Sequence, residues 1–344
     1  MNKVLSCPFS LDDDSIRILW EITSKCNLKC KHCLYYSSDN HLKKDMSKDE
    51  IFKVIEDIST DKAVKSIWLS GGEPLLNPDL FEIISKISSC GIKPSLSTNG
   101  TLVSSKEYAM ELHRRGVDYV HLSIDGVTAK VHDEFRNVQG SFEKVMNAVD
   151  FLNHAGIVIG VTFIVTEQSI DSAEKMIALA IKKNIQVLSF YLVEPIGRGK
   201  SFEDTNRSQL MLCINSIIKK ARMTENSNLR IELFRTVESS GQEVLKQCKG
   251  YNFLTITNSG ELGACPWLIK SNDSIKKVLL TTTSFKHAKK IVQESMKNFL
   301  KERSEILQKH CSKCKNANCC ALLLVVLICW IHYVNILSKY VYIV

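Results

Sequence analysis

Apolar runs alternate with amphipathic segments through residue 200 of the chain. The first run, residues 16–22, is typical of a buried strand, and apolar positions at helical spacing follow it at residues 51–58. Five more strand-and-helix repeats follow, with strands predicted at 66–70, 93–97, 119–124, 157–165 and 186–193. Six such repeats predict an α/β fold with parallel strands and right-handed crossovers, a partial (β/α)6 barrel open on one side.

Small or polar residues stand where the predicted strands end. In a parallel barrel this edge forms the mouth of the active site, so these residues are candidates for it. They are Gly71, Gly72, Glu73, Thr98, Asn99, Ser123, Asp125 and Glu194. Capping of the next helix is the alternative role for Asn99 and Asp125. No general base stands out, and Asp125, Glu73 and Glu194 are candidates by position only.

The hydrophobic pattern changes after residue 200, and it predicts several further segments. We expect a polar N-terminal extension at 1–15, the barrel at 16–200, a helical bridge at 201–244 and a cysteine-rich unit at 245–320. Residues 253–260 in that unit are typical of a β-hairpin with its turn. The tail, residues 321–344, is apolar. It is either a C-terminal membrane anchor or an aberrant C-terminus that replaces a final segment containing cysteines. We favour the second interpretation.

Composition indicates an ordinary globular protein. Hydrophobic residues make up 44% of the chain and charged residues 24%, and the net charge of +8 is spread over scattered lysines. We therefore expect no nucleic-acid partner. The first residues are too polar for an export signal, so a cytoplasmic, reducing location is expected. There the 13 cysteines indicate metal or redox chemistry, while the isolated Cys7, Cys90 and Cys213 are expected to be small buried side chains.

Three cysteines, Cys26, Cys30 and Cys33, fall within eight residues directly after the first predicted strand. Thiolates on one short loop can converge on a single inorganic centre, and a four-iron cluster has four corners to fill. Three protein ligands would leave one iron open to a substrate or cofactor. The alternatives are three unrelated buried thiols or a zinc knuckle, although zinc pairs more often sit two residues apart.

The spacing Cys-x-x-x-Cys-x-x-Cys behind a first strand resembles the signature of the radical S-adenosylmethionine (radical SAM) enzymes. The resemblance implies a TIM-like partial barrel, a [4Fe-4S] cluster on Cys26, Cys30 and Cys33, and SAM bound to the open iron. In that family the reduced cluster cleaves SAM, and the 5′-deoxyadenosyl radical that results takes a hydrogen atom from the substrate.

Further motifs resemble the parts of this family that bind SAM. Gly71, Gly72 and Glu73, one strand-and-helix unit after the cysteines, resemble the motif that binds the amino group of SAM. Arg136 resembles the arginine that lies near the SAM carboxylate in the peptide-modifying branch. Asn99 and Ser123, at neighbouring strand ends, are expected to complete the cofactor site.

The later cysteines resemble the auxiliary-cluster domain called SPASM or twitch. The expected ligands are Cys248, Cys265, Cys311, Cys314 and Cys320. The pattern then departs from that domain, because Leu324 stands where another cysteine is expected. With Cys319 and Cys329 there are seven thiols for two clusters that need eight. We therefore expect one auxiliary iron–sulfur cluster, with a structural zinc site as the alternative.

The resemblance predicts an oxidoreductase or maturase. A peptide substrate is preferred, with thioether, carbon–carbon crosslink or formylglycine chemistry, and haem or quinone cofactor synthesis is the alternative. Expected partners are an electron donor such as flavodoxin or ferredoxin and a separate leader-peptide-binding protein, because only 25 residues precede Cys26. Two other readings remain: a degenerate barrel that binds SAM or metal without turnover, and a zinc-stabilised binding protein.

Overall fold

A computed structural model of the chain describes residues 15–34, 44–193, 195–202, 205–223, 229–234, 252–264, 266, 269 and 275–311. The strands are β1 Ile16–Glu21, β2 Val64–Ser70, β3 Lys93–Thr98, β4 Tyr119–Ser123, β5 Val158–Val165, β6 Val187–Leu192, β7 Arg230–Phe234, β8 Phe253–Ile256, β9 Glu261–Gly263 and β10 Val278–Leu279. The helices are α1 Lys48–Ser59, α2 Leu80–Ser89, α3 Lys106–Arg114, α4 Ala129–Arg136, α5 Ser141–His154, α6 Ala173–Lys182, α7 Arg207–Met223 and α8 Phe285–Cys311. Short 3-10 helices span Pro74–Leu76, Ile170–Ser172 and Gly197–Phe202.

One sheet organises these elements, in the order β10-β9-β8-β1-β2-β3-β4-β5-β6-β7. Each neighbouring pair from β1 to β7 is parallel, and each of the first six strands is followed by at least one helix. The α/β partial barrel predicted from the sequence is thereby confirmed. Parallel strands of this kind need helical crossovers, so their carboxyl ends all lie at one edge of the sheet.

The barrel has two more parallel strands than the sequence pattern predicted. β7 pairs with β6 within the segment expected to be a helical bridge, although α7 in that segment is helical as expected. β8 pairs with β1 on the other side and turns back antiparallel into β9, so the predicted hairpin is present and extends the barrel sheet. β7 was not predicted because its sequence begins with two charged residues at alternate positions, Arg230 and Glu232. They form an ion pair with each other, and Ile231 between them is buried.

Alternate residues of the strands pack against the helices and form the core. Val120 and Leu122 of β4 and Val161 and Phe163 of β5 are completely buried there. The helices present apolar faces to this layer, as α1 does with Ile51, Val54, Ile55 and Ile58. The other face of each strand is turned to the interior of the barrel.

Further expectations from the sequence have different outcomes. Cys213 is exposed on α7, so the prediction that it is buried is wrong; the apolar face of α7 is formed by other residues. Among the described residues, no helix is both long and apolar enough to span a bilayer. The tail at 321–344, Cys7 and Glu194 lie outside the described residues.

Candidate functional site

The loop that carries Cys26, Cys30 and Cys33 follows β1 at the carboxyl edge of the sheet. Cys30 is buried, with 8% of its surface exposed, and the other two cysteines are half-buried. Burial raises the pKa of Cys26 to about 12, and burial likewise raises the pKa of Cys30, against the lowering effect of the Arg136 guanidinium. Thiols in such surroundings become thiolates only when a positive centre compensates their charge.

The three thiols lie on one short loop. The charges of Cys30 and Cys33 both contribute to raising the pKa of Cys26, and that of Cys33 contributes to raising the pKa of Cys30. Among the described residues, no group of three His, Cys, Asp or Glu side chains is placed to hold a single metal ion. An iron–sulfur cluster takes each thiolate on a different iron. Donors for the sulfurs are also present, since the Leu28 amide lies 3.5 Å from Cys26 Sγ.

Arg136, the last residue of α4, reaches the most buried of the three sulfurs. Its Nη1 lies 3.5 Å from Cys30 Sγ, and its Nη2 lies 2.5 Å from Asp125 Oδ2. Nε is buried and has no hydrogen-bond partner among the described residues, so its N–H is left for an added acceptor. The side chain is oriented by its helix, which ends at Asn137 in the left-handed conformation, with φ of 57°.

Asp125, two residues beyond the end of β4, is buried, and it is bonded to other parts of the protein. Its Oδ1 accepts a hydrogen bond from the Ile164 amide, and its backbone amide donates to Nδ1 of His132. Burial raises the pKa of Asp125, while the neighbouring Arg136 lowers it. Burial also lowers the pKa of His132 to about 3, so its imidazole is a neutral acceptor that holds the Asp125 backbone.

The Gly-Gly-Glu segment after β2 lies against the backbone that enters the cysteine loop. Gly72 donates to the Thr23 carbonyl and Glu73 donates to the Lys25 carbonyl. A Cβ on Gly72 would lie 2.1 Å from the Lys25 oxygen, so this close approach requires glycine. The structure therefore brings Gly71, Gly72 and Glu73 beside the cysteine loop, with the Glu73 side chain turned into the fold.

Asn99 and Ser123 stand at the same edge. The Asn99 side chain donates to Asn27 Oδ1 of the cysteine loop at 2.9 Å and accepts from Thr101. It thus fixes the segment next to Cys26, and it does not cap the next helix, α3, whose N-cap is Ser105. Ser123 is half-buried and pairs with Thr162 across the β4–β5 ladder.

Arg198 is a residue of this site that the sequence analysis did not single out. It lies in the 3-10 helix after β6, its amide donates to the Cys33 carbonyl at 3.0 Å, and its Nε donates to the Cys30 carbonyl at 2.8 Å. Gly197, with φ of 62°, permits this approach, because a Cβ there would lie 2.3 Å from the Cys33 oxygen. The Gly-Arg-Gly sequence after the sixth strand was the available signal.

Inside the barrel, a polar network spans adjacent strands. The Tyr119 hydroxyl lies 2.9 Å from His121 Nδ1, and His121 Nε2 lies 2.6 Å from the Thr162 hydroxyl. Burial lowers the pKa of His121 to about 4, so the ring is neutral near pH 7. Trp68 of β2 packs on Tyr119 and His121, and Ser189 of β6 donates to Glu232 of β7. The interior wall is thus polar and aromatic, in contrast to the apolar layer behind the strands.

The proposed auxiliary ligands cannot be located at this site. Cys248, Cys265, Cys314 and Cys320 lie outside the described residues, and Cys311 is described only as the end of α8. Their role remains a prediction.

The family model for the radical SAM superfamily matches residues 20–204, more than half of the chain, from the end of β1 and the cysteine loop to beyond β6. The AdoMet-dependent heme synthase of Methanosarcina barkeri is 28% identical over 256 residues, 72% of either chain. The pre-heme d1 synthase of Dinoroseobacter shibae is 34% identical over 209 residues, 59% of this chain and 50% of that protein.

A third relative is named for peptide chemistry. The antilisterial bacteriocin subtilosin biosynthesis protein AlbA of Bacillus subtilis is 31% identical over 185 residues, 53% of this chain and 40% of its own. Apart from the Methanosarcina protein, the chain therefore spans about half or less of these relatives.

Two solved structures have the same fold. anSMEcpe with bound AdoMet has a TM-score of 0.67 and 16% identity, over 94% of this chain and 99% of that one. Streptococcus suis SuiB bound to S-adenosylmethionine has a TM-score of 0.65 and 16% identity, over 79% of this chain and 64% of that one.

Proposed function

Because this chain belongs to the radical SAM superfamily, we propose that Cys26, Cys30 and Cys33 hold its [4Fe-4S] cluster at the barrel mouth. The protein is an enzyme, and its cofactors are this type of cluster and SAM. Together they supply an electron and a 5′-deoxyadenosyl radical that abstracts hydrogen from the substrate. The observation that carries the assignment is the cysteine loop itself, which places three thiols and an arginine donor to Cys30 at the carboxyl edge of the sheet.

The surrounding residues have two proposed tasks. Asn99, Arg198 and the Gly72 backbone hold the cysteine loop in place through the hydrogen bonds described above. The Gly71–Gly72 backbone is the proposed site for the SAM amino group, Arg136 Nε for its carboxylate, and Ser123 for the remainder of the molecule. Glu73 and Asp125 are engaged inside the protein, which argues for positioning roles over proton transfer.

For the substrate, we favour a tetrapyrrole on the route to a haem-type cofactor. The haem synthase of Methanosarcina barkeri matches the largest share of both chains among the three relatives above. This choice reverses the order expected from the motifs.

A peptide substrate is the second candidate. It is supported by the likeness to AlbA, and anSMEcpe has been solved with a bound peptide. Since identity to anSMEcpe is 17% in that complex, the likeness extends to the fold alone.

The cluster and its chemistry are tested by anaerobic reconstitution with iron and sulfide, followed by addition of SAM and dithionite. We expect release of 5′-deoxyadenosine by the wild type and its loss in Cys30→Ala, whereas Cys90→Ala, at the end of α2, retains it. Uptake of zinc without iron, or iron uptake without SAM cleavage, would contradict the proposal.

The substrate class is tested separately with the active enzyme. Fe-coproporphyrin III and related haem precursors should increase 5′-deoxyadenosine release, and deuterium at the attacked carbon should appear in that product. Stimulation by cysteine-containing peptides and not by tetrapyrroles would favour the second candidate.

We further propose that residues 245–320 form an auxiliary unit with one iron–sulfur cluster on Cys248, Cys265, Cys311, Cys314 and Cys320, of which four suffice. A chain with Cys26, Cys30 and Cys33 all replaced by alanine should then keep about four irons, the content of one cubane. An iron content near zero in that variant would contradict the auxiliary cluster.

A further inference from the structure

One guanidinium bridges a sulfur and a carboxylate at the buried side of the cysteine loop. Arg136 has 6% of its surface exposed and Asp125 has 1%, and the arginine contacts Cys30 Sγ with Nη1 and Asp125 with Nη2. The three residues come from three places in the chain: the loop after β1, the segment after β4 and the end of α4. The cysteine loop and α4 are joined again by the hydrogen bond from the Lys31 amide to the Phe135 carbonyl, at 3.0 Å.

Charge next to a cysteine sulfur acts on the potential of a cluster bound to it. Reduction adds one negative charge, which spreads onto the sulfurs, so a cation or an N–H donor stabilises the reduced form. A nearby carboxylate has the opposite effect. Both effects are strong here because the groups are buried, and water, which would weaken their electrostatic interactions, does not reach them.

We propose that Arg136 and Asp125 are positioning residues that set the reduction potential of the cluster through Cys30. Arg136 makes the potential more positive, and Asp125 cancels part of that effect, so that the cluster remains a strong reductant. The inference rests on the proposed function, because it requires Cys30 to be a cluster ligand. The step concerned is the gain of one electron by the cluster, from dithionite in the experiment, and no bond in the protein forms or breaks.

The experiment is a potentiometric titration of the reconstituted cluster in the absence of SAM. Electron paramagnetic resonance measures the reduced fraction of the cluster at each potential. Asp125→Asn keeps an oxygen to accept from the Ile164 amide but leaves the charge of Arg136 uncompensated. We expect its potential to shift to a more positive value. Arg136→Gln removes the charge, and we expect its potential to shift to a more negative value.

Two further variants keep the test decisive. The double variant Asp125→Asn/Arg136→Gln avoids a buried unpaired charge and should have a potential between those of the single variants. Asp61→Asn removes a carboxylate that pairs with Lys289 in an ion pair between the segment after α1 and α8, away from the cysteine loop. It should leave the potential unchanged.

A purely structural role would not give shifts of opposite sign. Iron and sulfide contents are measured for every variant, so that a loss of cluster is not mistaken for a shift. If Arg136→Gln does not fold, Asp125→Asn decides: a potential equal to or more negative than that of the wild type overturns the inference. Equal potentials in all variants with full cluster content also overturn it and leave the proposed function intact. Failure of the wild type to assemble any cluster overturns both.

The rate of 5′-deoxyadenosine release is a second measurement of the altered cluster potential in Asp125→Asn. A more positive cluster is a weaker reductant, so Asp125→Asn should reduce more easily with dithionite and yet release 5′-deoxyadenosine more slowly. Faster release from this variant would contradict the proposal.

Discussion

At the scale of single residues, Glu73 has the environment that is least expected from its sequence. The motif suggested a ligand for the SAM amino group, yet the side chain is fully buried. It accepts hydrogen bonds from the Thr98 hydroxyl at 2.6 Å, the Asn99 amide at 2.8 Å and the Leu75 amide at 3.1 Å. It therefore joins the segment after β2 to the end of β3. The backbone of the same residue, which donates to Lys25, remains beside the cysteine loop.

The pKa of Glu73 predicts a dependence of stability on pH. Burial raises this pKa from 4.5 to about 7, in spite of the hydrogen bonds that lower it. Between these two pH values the folded protein binds a proton that the unfolded chain releases, so the free energy of unfolding falls as the pH rises. Above about pH 7 the whole cost is present, on the order of 3 kcal/mol for a shift of this size.

Urea denaturation of the wild type and Glu73→Gln from pH 4.5 to 8 measures this effect. The glutamine variant cannot ionise, so the difference between the two unfolding free energies should change across the window by that amount. Glu294→Gln, on an exposed carboxylate of α8, serves as the control and should follow the wild type. A constant difference between the wild type and Glu73→Gln would mean that Glu73 is not buried as described.

At the scale of elements, the contact between β4 and β5 depends on a glycine. A Cβ on Gly160 would lie 2.0 Å from the Tyr119 hydroxyl and 2.7 Å from His121 Nδ1. Gly160 therefore makes room for the polar network on the interior wall. The sequence indicated β5 as a buried strand but gave no reason for its glycine, because the reason lies on the adjacent strand.

We predict that Gly160→Ala lowers the free energy of unfolding by about 1–3 kcal/mol, the usual cost of overpacking. Adding Tyr119→Phe should recover part of this loss, because it removes the nearest atom while the ring carbon remains 2.9 Å away. A double-mutant cycle by chemical denaturation measures the coupling between the two sites. Additive losses would contradict the described contact.

At the scale of the whole molecule, Asp45 joins the cysteine loop to the turn between β8 and β9. Its carboxylate accepts from the Thr23 hydroxyl at 2.7 Å, the Ser24 amide at 2.9 Å and the Asn258 side chain at 2.9 Å. The Met46 amide also donates to the Asn258 carbonyl. Together with the β1–β8 pairing, these bonds make the later part of the chain a neighbour of the proposed cluster site.

Asp45→Ala should therefore affect both stability and the site. We expect a loss of about 2 kcal/mol in unfolding free energy, since several hydrogen bonds to a charged group are removed. We also expect a lower iron content after reconstitution. Asp49→Ala, at an exposed position in the first turn of α1, is the matched control. It should lower the unfolding free energy by only about 0.5 kcal/mol, the usual contribution of a charge near a helix N-terminus, and leave the iron content unchanged. Normal stability and iron content in Asp45→Ala would contradict the linking role.

The sequence by itself determined the order of the first six strands and their helices, because hydrophobic periodicity reports which face of each element is buried. It also placed the three cysteines and the polar strand ends at one edge, since parallel strands with crossover helices align their carboxyl ends. The tertiary structure alone decided the pairing of Arg136 with Cys30 and Asp125, the approach of Arg198 to the cysteine loop, and the pairing of β8 with β1. These contacts join residues far apart in the chain, and local periodicity carries no information about which distant partners meet.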